Sequence, residues 1–314
     1  MSPAVRSVVR WIAGIAIATG SLWFMASQLS VSAAQLGAGV AQIPAVALLA
    51  ASGLFVGSVL AETVAWYRVL REVSPQSRRL PRADAFAVFN VSAIGKYLPG
   101  KIWGYAWQIY LLGRRGVPAY ASLQANGIAL VAACAAGTLV GGAGALAGGI
   151  GWMPTTAAFA VAVALLALVP LQHRVGILSR LGKRLQLDRS FSALGTQAWI
   201  EAVGGYCVVW LVYGAGGIVL ARVLHPALNA TTAAAVVAAM CLSWLVGTVV
   251  FIAPAGLGVR EAVMALALSH LPGKLGFVLP VATRLLLIAV DLTMEAAALG
   301  ILWYRRSESN ASGV

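Results

Sequence analysis

The hydrophobic positions of this chain form long continuous runs and do not alternate with polar ones. Six runs are long enough to cross about 30 Å of hydrocarbon, at roughly residues 11–29, 46–67, 121–148, 154–171, 198–221 and 277–303. Barrel strands would show short segments of alternating hydrophobicity instead. Because only helices and closed barrels satisfy their backbone hydrogen bonds in lipid, the pattern predicts an all-α polytopic membrane protein with six full spans.

Two further apolar segments are interrupted by proline and glycine. Residues 83–113 are broken at Pro99 and Gly100, and residues 233–271 are broken within "PAGLG". The second break contributes the residues Pro254, Gly256 and Gly258. The arms that follow the breaks are too short to span at about 1.5 Å per residue. These segments therefore predict two re-entrant helical hairpins.

The composition agrees with a membrane protein, since 61% of the residues are hydrophobic, 10% are charged and the mean hydropathy is +0.88. The net charge of +13 is also found in nucleic-acid-binding proteins. Here, however, the basic residues lie in short loops between apolar runs, where they orient a membrane protein. We therefore expect no nucleic-acid partner. The three cysteines lie inside apolar runs without metal-ligand spacing, so we expect no metal and no cofactor.

Lysine and arginine set the orientation, because cytoplasmic loops are enriched in both. Basic residues cluster at 68–82, 114–115, 174–189 and 305–306. This predicts a multi-pass protein of the inner (cytoplasmic) cell membrane with both termini in the cytoplasm. The first hairpin then enters from the cytoplasm and the second from outside.

The two halves of the chain therefore have the same elements in opposite orientation. Residues 1–152 read as spans 1 and 2, a cytoplasmic-side hairpin and span 3, and residues 153–314 read as spans 4 and 5, an outside-facing hairpin and span 6. This is an inverted-topology repeat. Paired segments interrupted by glycine or proline are the best sequence pointer to a transporter's binding site.

The amino terminus has a second interpretation. Arg6 and Arg10 precede an apolar run that ends before "SVSAAQ", as in a cleaved secretory signal peptide. We favour a span, because the run continues to Leu29 and the topology requires it.

Charged side chains at membrane depth are costly and are functional candidates by default. They are Lys96, Lys101, Arg260, Glu261, Arg284, Asp291 and Glu295. Where a helix breaks inside the membrane, the returning half begins with free N–H groups and a positive dipole end, so a nearby cation completes an anion site. We expect Lys101, Arg260 and Arg284 to bind a lipid phosphate, with Lys96 secondary. Glu261, Asp291 and Glu295 would balance this charge, and one would titrate during transport.

Structural explanations compete with these assignments. Lys101 can snorkel to the cytoplasmic interface. Arg284 with Asp291, or Arg260 with Glu295, can form ion pairs that lock spans together. The aromatic residues of the first hairpin can form an interfacial belt instead of a lipid-binding wall; they are Trp103, Tyr105, Trp107 and Tyr110. Glu62 and Glu201 are expected to pair with loop arginines, and small-residue spacings in span 3 are expected to permit close helix packing.

An enzyme is the competing class. The loops are about 20 residues or shorter, and no nucleophile, metalloprotease or nucleotide-binding motif is present. We therefore expect no catalytic residues and no enzymatic activity.

The segments "GKYLPGKIWGYAWQIYLLGRRG" and "FIAPAGLGVREAVMALALS" resemble signature segments of the lysylphosphatidylglycerol synthase transmembrane (flippase-like) family. The resemblance covers essentially the whole chain. In the first segment it points to Gly95, Tyr97, Pro99, Gly100, Lys101 and Gly104. In the second it points to Pro254, Gly256, Gly258, Arg260 and Glu261. The chain departs from the family pattern at Ala255, where a glycine often follows the proline.

This resemblance implies a transporter that moves an anionic or polyprenyl-phosphate-linked (glyco)lipid between leaflets. The aminoacyltransferase domain of the bifunctional members is not present, so synthesis of lysyl-lipid is not expected. The alternative is a non-catalytic membrane partner that scaffolds a lipid-linked glycosyltransferase or a lipid-modifying enzyme.

Overall fold

A computed structural model of the chain describes residues 33–98, 102–149, 158, 160–167, 194–250, 253–271 and 273–311, and every regular element in this part is helical. The α-helices that we label are α1 (Ala33–Ala41), α2 (Ala45–Val73), α3 (Arg82–Ala93), α4 (Trp103–Gly113), α5 (Ala119–Ala147), α6 (Thr196–Leu224), α7 (Ala230–Val249), α8 (Val259–Leu268) and α9 (Val278–Ala311). Short 3-10 turns lie at Pro75–Arg79, Ile94–Tyr97, Pro254–Gly256 and Gly273–Gly276. The predicted span 11–29 and the residues Pro99, Gly100 and Lys101 lie outside the described residues. Of span 154–171, residues 158 and 160–167 are described, and they are helical.

Proline sets the starts of three of these helices. Pro44, Pro81 and Pro118 each stand directly before a helix in extended conformation, with ψ near 144–149°. Proline suits this position because its missing N–H is one that the helix start would leave unpaired. Helix α7 begins differently, since the side chain of Asn229 accepts a hydrogen bond of 2.8 Å from the backbone N–H of Thr232.

Five of the described helices are long and apolar enough to cross a membrane: α2, α5, α6, α7 and the part Val278–Arg305 of α9. Four coincide with predicted spans. The fifth, α7, differs from the prediction, because it lies in the first arm of residues 233–271, which were expected to form a re-entrant hairpin without a full span. Its apolar sequence continues without a break from Ala230 to Val249, and 20 residues extend about 30 Å. The segment is therefore one long helix followed by the 10-residue helix α8.

The first interrupted segment does fold back on itself. Helices α3 and α4 have 12 and 11 residues, about 18 and 16 Å, and they pack against each other. Arg115, just after α4, lies 3.6 Å from Asp84 in the first turn of α3, so the two ends of the segment meet. Entry of this hairpin into the membrane from the cytoplasm stays a prediction.

The two halves of the chain pack reciprocally. Helix α2 packs against α6. Helix α3 of the first half packs against α9 of the second, and α7 of the second half packs against α5 of the first. A two-fold relation between the halves would produce this exchange of partners. The inverted repeat with its boundary at 152/153 stays a prediction.

Small residues permit the contact between α5 and α7. A Cβ built on Gly141, Gly144 or Gly148 would lie 2.8–2.9 Å from atoms of α7. The expected close packing of this glycine spacing is therefore confirmed, and it brings α7 against α5 beside the cavity described next.

Candidate functional site

A cavity of about 320 Å³ opens between the spans and the two interrupted segments. One face of α2 lines it with side chains at i, i+3, i+4, i+7 and i+11: Phe55, Ser58, Val59, Glu62 and Trp66. The charged side chains on its wall are Glu62, Lys96, Arg260, Arg284 and Asp291. The cavity therefore collects charge from α2, α8, α9 and the first hairpin, at the size typical of small-molecule sites.

The turn that precedes the first break and the turn at the second break meet at this cavity. The turn Ile94–Tyr97 contacts the turn Pro254–Gly256. Ala255 and Gly256 in the second turn have φ of 50° and 72°, and Gly258, directly before α8, has φ of 80°. Only glycine adopts this left-handed region without cost, so the turn reverses the chain and aims the start of α8 at the cavity.

Lys96 and Tyr97 in the first turn bind one carboxylate of α9. The Nζ of Lys96 lies 2.7 Å from Oδ2 of Asp291, and the hydroxyl of Tyr97 donates a hydrogen bond of 2.6 Å to the same oxygen. The first hairpin is thereby fastened to α9 at the cavity wall.

A second, more deeply buried ion pair joins α9 to α8. The Nε of Arg284 lies 3.1 Å from Oε1 of Glu261, and the two residues are 8% and 4% exposed. Arg284 Nη2 also donates a hydrogen bond of 3.2 Å to the carbonyl of Ala255. The alternative pairing of Arg284 with Asp291 is wrong, because Glu261 and Lys96 supply closer partners from other elements.

Arg260 differs from the other two cations. Among the described residues, no carboxylate lies within 4 Å of it. Its guanidinium lies 5.6 Å from the centre of the Trp244 ring, and its side chain packs against Gly247 and Gly256. The alternative pair with Glu295 is not formed. Glu295 is 3% exposed and does not line the cavity, and its oxygens accept no hydrogen bond from the described residues.

Glu62 is the residue that sequence reasoning missed. It was expected to pair with a loop arginine, but it lies on the cavity wall in the middle of α2. The sequence did indicate a functional role for Glu62, since an ionisable residue inside an apolar span is a functional candidate by default.

The aromatic residues of α4 divide between two roles. Trp103, Trp107 and Tyr110 are exposed, as an outward-facing stripe at i, i+4 and i+7 requires. Tyr105 is also exposed, at 41%, but it lines the cavity. Thus one of the four aromatics contributes to the candidate site, and the other three fit an outward-facing role.

Comparison with protein families decides the relationship. The family model for the lysylphosphatidylglycerol synthase TM region matches residues 11–293. The chain belongs to this family. A comparison with curated proteins finds no significant match.

The geometry explains several residues of the lysylphosphatidylglycerol synthase TM pattern. A Cβ on Gly95 would overlap the backbone of Gly104, and one on Gly104 would overlap the carbonyl of Ser92, so both glycines permit the hairpin arms to touch. Tyr97 holds Asp291. The candidate roles of Lys101, Pro99 and Gly100 stay predictions, since these residues lie outside the described part.

Proposed function

We propose that this protein is a lipid transporter that binds the head-group phosphate of an anionic or polyprenyl-phosphate-linked lipid in the cavity and moves the lipid between leaflets. It acts without catalysing a covalent reaction. The substrate enters and leaves as the two halves rock about the meeting point of their interrupted segments.

Arg260 is the observation that carries this proposal. Two of the three cavity cations already have a carboxylate partner, at 2.7 and 3.1 Å. Arg260 opens α8, where the helix dipole favours an anion, and no carboxylate of the described residues lies within 4 Å of it. A phosphate is the dianionic or monoanionic group that arginine binds with two parallel hydrogen bonds. In a membrane, lipid head groups are its most abundant source.

Family membership and the arrangement of the interrupted segments support the same function. The two turns meet beside Arg260, and the reciprocal packing of α3 and α7 couples each interrupted segment to the opposite half. Motion of one half against the other would therefore change the walls of the cavity.

The test is leaflet-resolved lipid movement in proteoliposomes with wild type and Arg260→Ala. We expect transport to fall about tenfold or more, because hydrogen bonds to a charged group are lost. Arg260→Lys should retain part of the activity. The control is Arg222→Ala, which removes an exposed arginine at the end of α6, away from the cavity.

Two outcomes would contradict the proposal. Full transport in both Arg260→Ala and Lys101→Ala would exclude the phosphate site. Wild type that moves no lipid faster than empty vesicles, across phospholipids and polyprenyl-phosphate-linked sugars, would exclude transport and favour a scaffold for a lipid-modifying enzyme.

A further inference from the structure

Three of the five charged side chains on the cavity wall have an ion-pair partner. Lys96 is paired with Asp291, and Arg284 is paired with Glu261, which does not line the cavity. The remaining charges on the wall are the cation Arg260 and the carboxylate Glu62. In the described part of the chain neither has an opposite charge within 4 Å, and they do not contact each other. The cavity therefore presents one positive and one negative group at separate places.

Glu62 points into this cavity by its helical register. It shares one face of α2 with Phe55, Ser58, Val59 and Trp66, which also line the wall. Lys96 and Arg260 both act electrostatically on Glu62, but neither forms an ion pair with it within 4 Å, and the ammonium of Lys96 is held by Asp291. The Glu62 carboxylate is thus directed at the space that a ligand would occupy.

The surroundings of Glu62 suit a cation. Tyr105 and Tyr206 interact electrostatically with Glu62, and both line the cavity together with Trp66. A carboxylate among aromatic rings attracts an ammonium group by charge and by the negative faces of the rings. A buried neutral head group would leave this carboxylate unpaired, which is costly.

We propose that Glu62 forms an ammonium-binding subsite, so that the cavity selects a zwitterionic head group with one phosphate at Arg260 and one amine at Glu62. This rests on the proposed phosphate site and adds a second requirement to it, an amine on the head group whose phosphate binds Arg260. A lipid whose head group is only anionic satisfies Arg260 and leaves Glu62 without a partner. A free monovalent cation has the same chemistry as the amine, and the experiment separates the two.

Binding is measured first, by calorimetry on the full-length protein in detergent with short-chain phosphatidylethanolamine and phosphatidylglycerol. We expect wild type to prefer phosphatidylethanolamine. In Glu62→Gln, which keeps the shape of the side chain, its affinity should fall about tenfold while that for phosphatidylglycerol changes less than about twofold. Glu201→Gln is the control, because Glu201 is exposed on α6 and hydrogen-bonded to Gln197.

Folding is checked with a second variant. Glu62→Asp keeps the carboxylate and should keep the preference for phosphatidylethanolamine. If Glu62→Gln elutes as aggregate, the same test is made by charge reversal. Glu62→Lys should then lose the preference for phosphatidylethanolamine, and Glu62→Asp should keep it.

Three results would overturn the subsite. The first is a wild-type protein that binds phosphatidylglycerol more tightly than phosphatidylethanolamine, and the second is a Glu62→Gln variant that loses equal affinity for both lipids. The third is ethylammonium that binds in a Glu62-dependent way without competing with the lipid. The last result assigns the site to a free cation. The same variants are then assayed for transport of acyl-labelled lipids. Selective binding without any transport would contradict the proposed function and leave the subsite standing.

Discussion

The two interrupted segments each place a cation at the cavity, Lys96 before the break in the first and Arg260 after the break in the second, and these cations end in different electrostatic states. Lys96 in the first has a carboxylate and a tyrosine hydroxyl beside it, because Asp291 of α9 reaches it. Arg260 in the second does not, because its neighbour Glu261 turns to Arg284. In both cases α9 supplies the deciding residue. A charge's role in this cavity is therefore set by the facing helix α9, which belongs to the opposite half of the chain for Lys96 and to the same half for Arg260.

The two ion pairs also differ in depth, and this difference predicts the largest effect. Glu261→Gln leaves Arg284 charged and almost fully buried, so we expect a loss of about 3–5 kcal/mol in the free energy of unfolding. Thermal unfolding in detergent measures it. The double variant Glu261→Gln/Arg284→Met should recover much of the loss, because no unpaired charge remains.

The matched comparison is Lys96→Gln. The Lys96 side chain is 38% exposed, so its pair with Asp291 should contribute about 1 kcal/mol or less. Equal losses in Lys96→Gln and Glu261→Gln would contradict the distinction between the two pairs.

Tyr97→Phe should have an intermediate effect. It removes the hydroxyl that donates to Asp291 and leaves the ring in place. A hydrogen bond to a charged group contributes about 1.5–3 kcal/mol, so the unfolding temperature should fall measurably. Tyr304→Phe, at an exposed position of α9, is the control and should change little. A Tyr97→Phe variant as stable as wild type would show that Lys96 alone holds the hairpin.

The smallest effect is expected at the second turn and has the opposite sign. Ala255 is in the left-handed region, which costs a residue with a Cβ about 1–2 kcal/mol. Ala255→Gly removes this cost but adds flexibility to the unfolded chain, so we expect a net gain of about 0.5–1 kcal/mol.

Ala253→Gly provides the control, since Ala253 has φ of −75° and ψ of 115°, which alanine adopts freely. It should destabilise by about 0.5–1 kcal/mol. If both variants destabilise the protein, the conformation assigned to Ala255 is wrong.

The sequence predicted the long apolar helices best, because a single requirement, the length needed to cross the hydrocarbon, determines them. The apolar runs of α2, α5, α6 and α9 agree with the predicted spans to within a few residues, apart from a longer carboxyl-terminal extension of α2, because hydrocarbon thickness fixes their minimum length. The structure departs from the prediction at α7, where the interruption at Pro254 was taken to make the whole segment 233–271 a re-entrant hairpin. A proline just after a helix fixes where that helix ends. It does not limit how far the helix extends in the amino-terminal direction.

The candidate site was harder to predict, because the packing of the helices determines which charged side chains form ion pairs. Arg284, Asp291 and Glu295 do share one face of α9, as their spacing requires, but spacing cannot say that Glu261 and Lys96 approach that face. Glu62 was misassigned for the same reason: a carboxylate in α2 can turn to a loop or to a cavity, and the packing of α2 against α6 decides. The glycine at 95 is likewise explained only by the backbone of Gly104.

The reciprocal packing of the halves has a consequence for how the protein is made. Tyr97 and Asp291 are 194 residues apart in the chain. At ribosomal rates of about 5–20 residues/s, the first hairpin therefore exists for about 10–40 s before its partner on α9 has been synthesised. During that interval Lys96 cannot form its ion pair with Asp291, and α3 cannot pack against α9. Release of the carboxyl-terminal helix into the membrane, and not insertion of the hairpin itself, is then the step that completes the cavity.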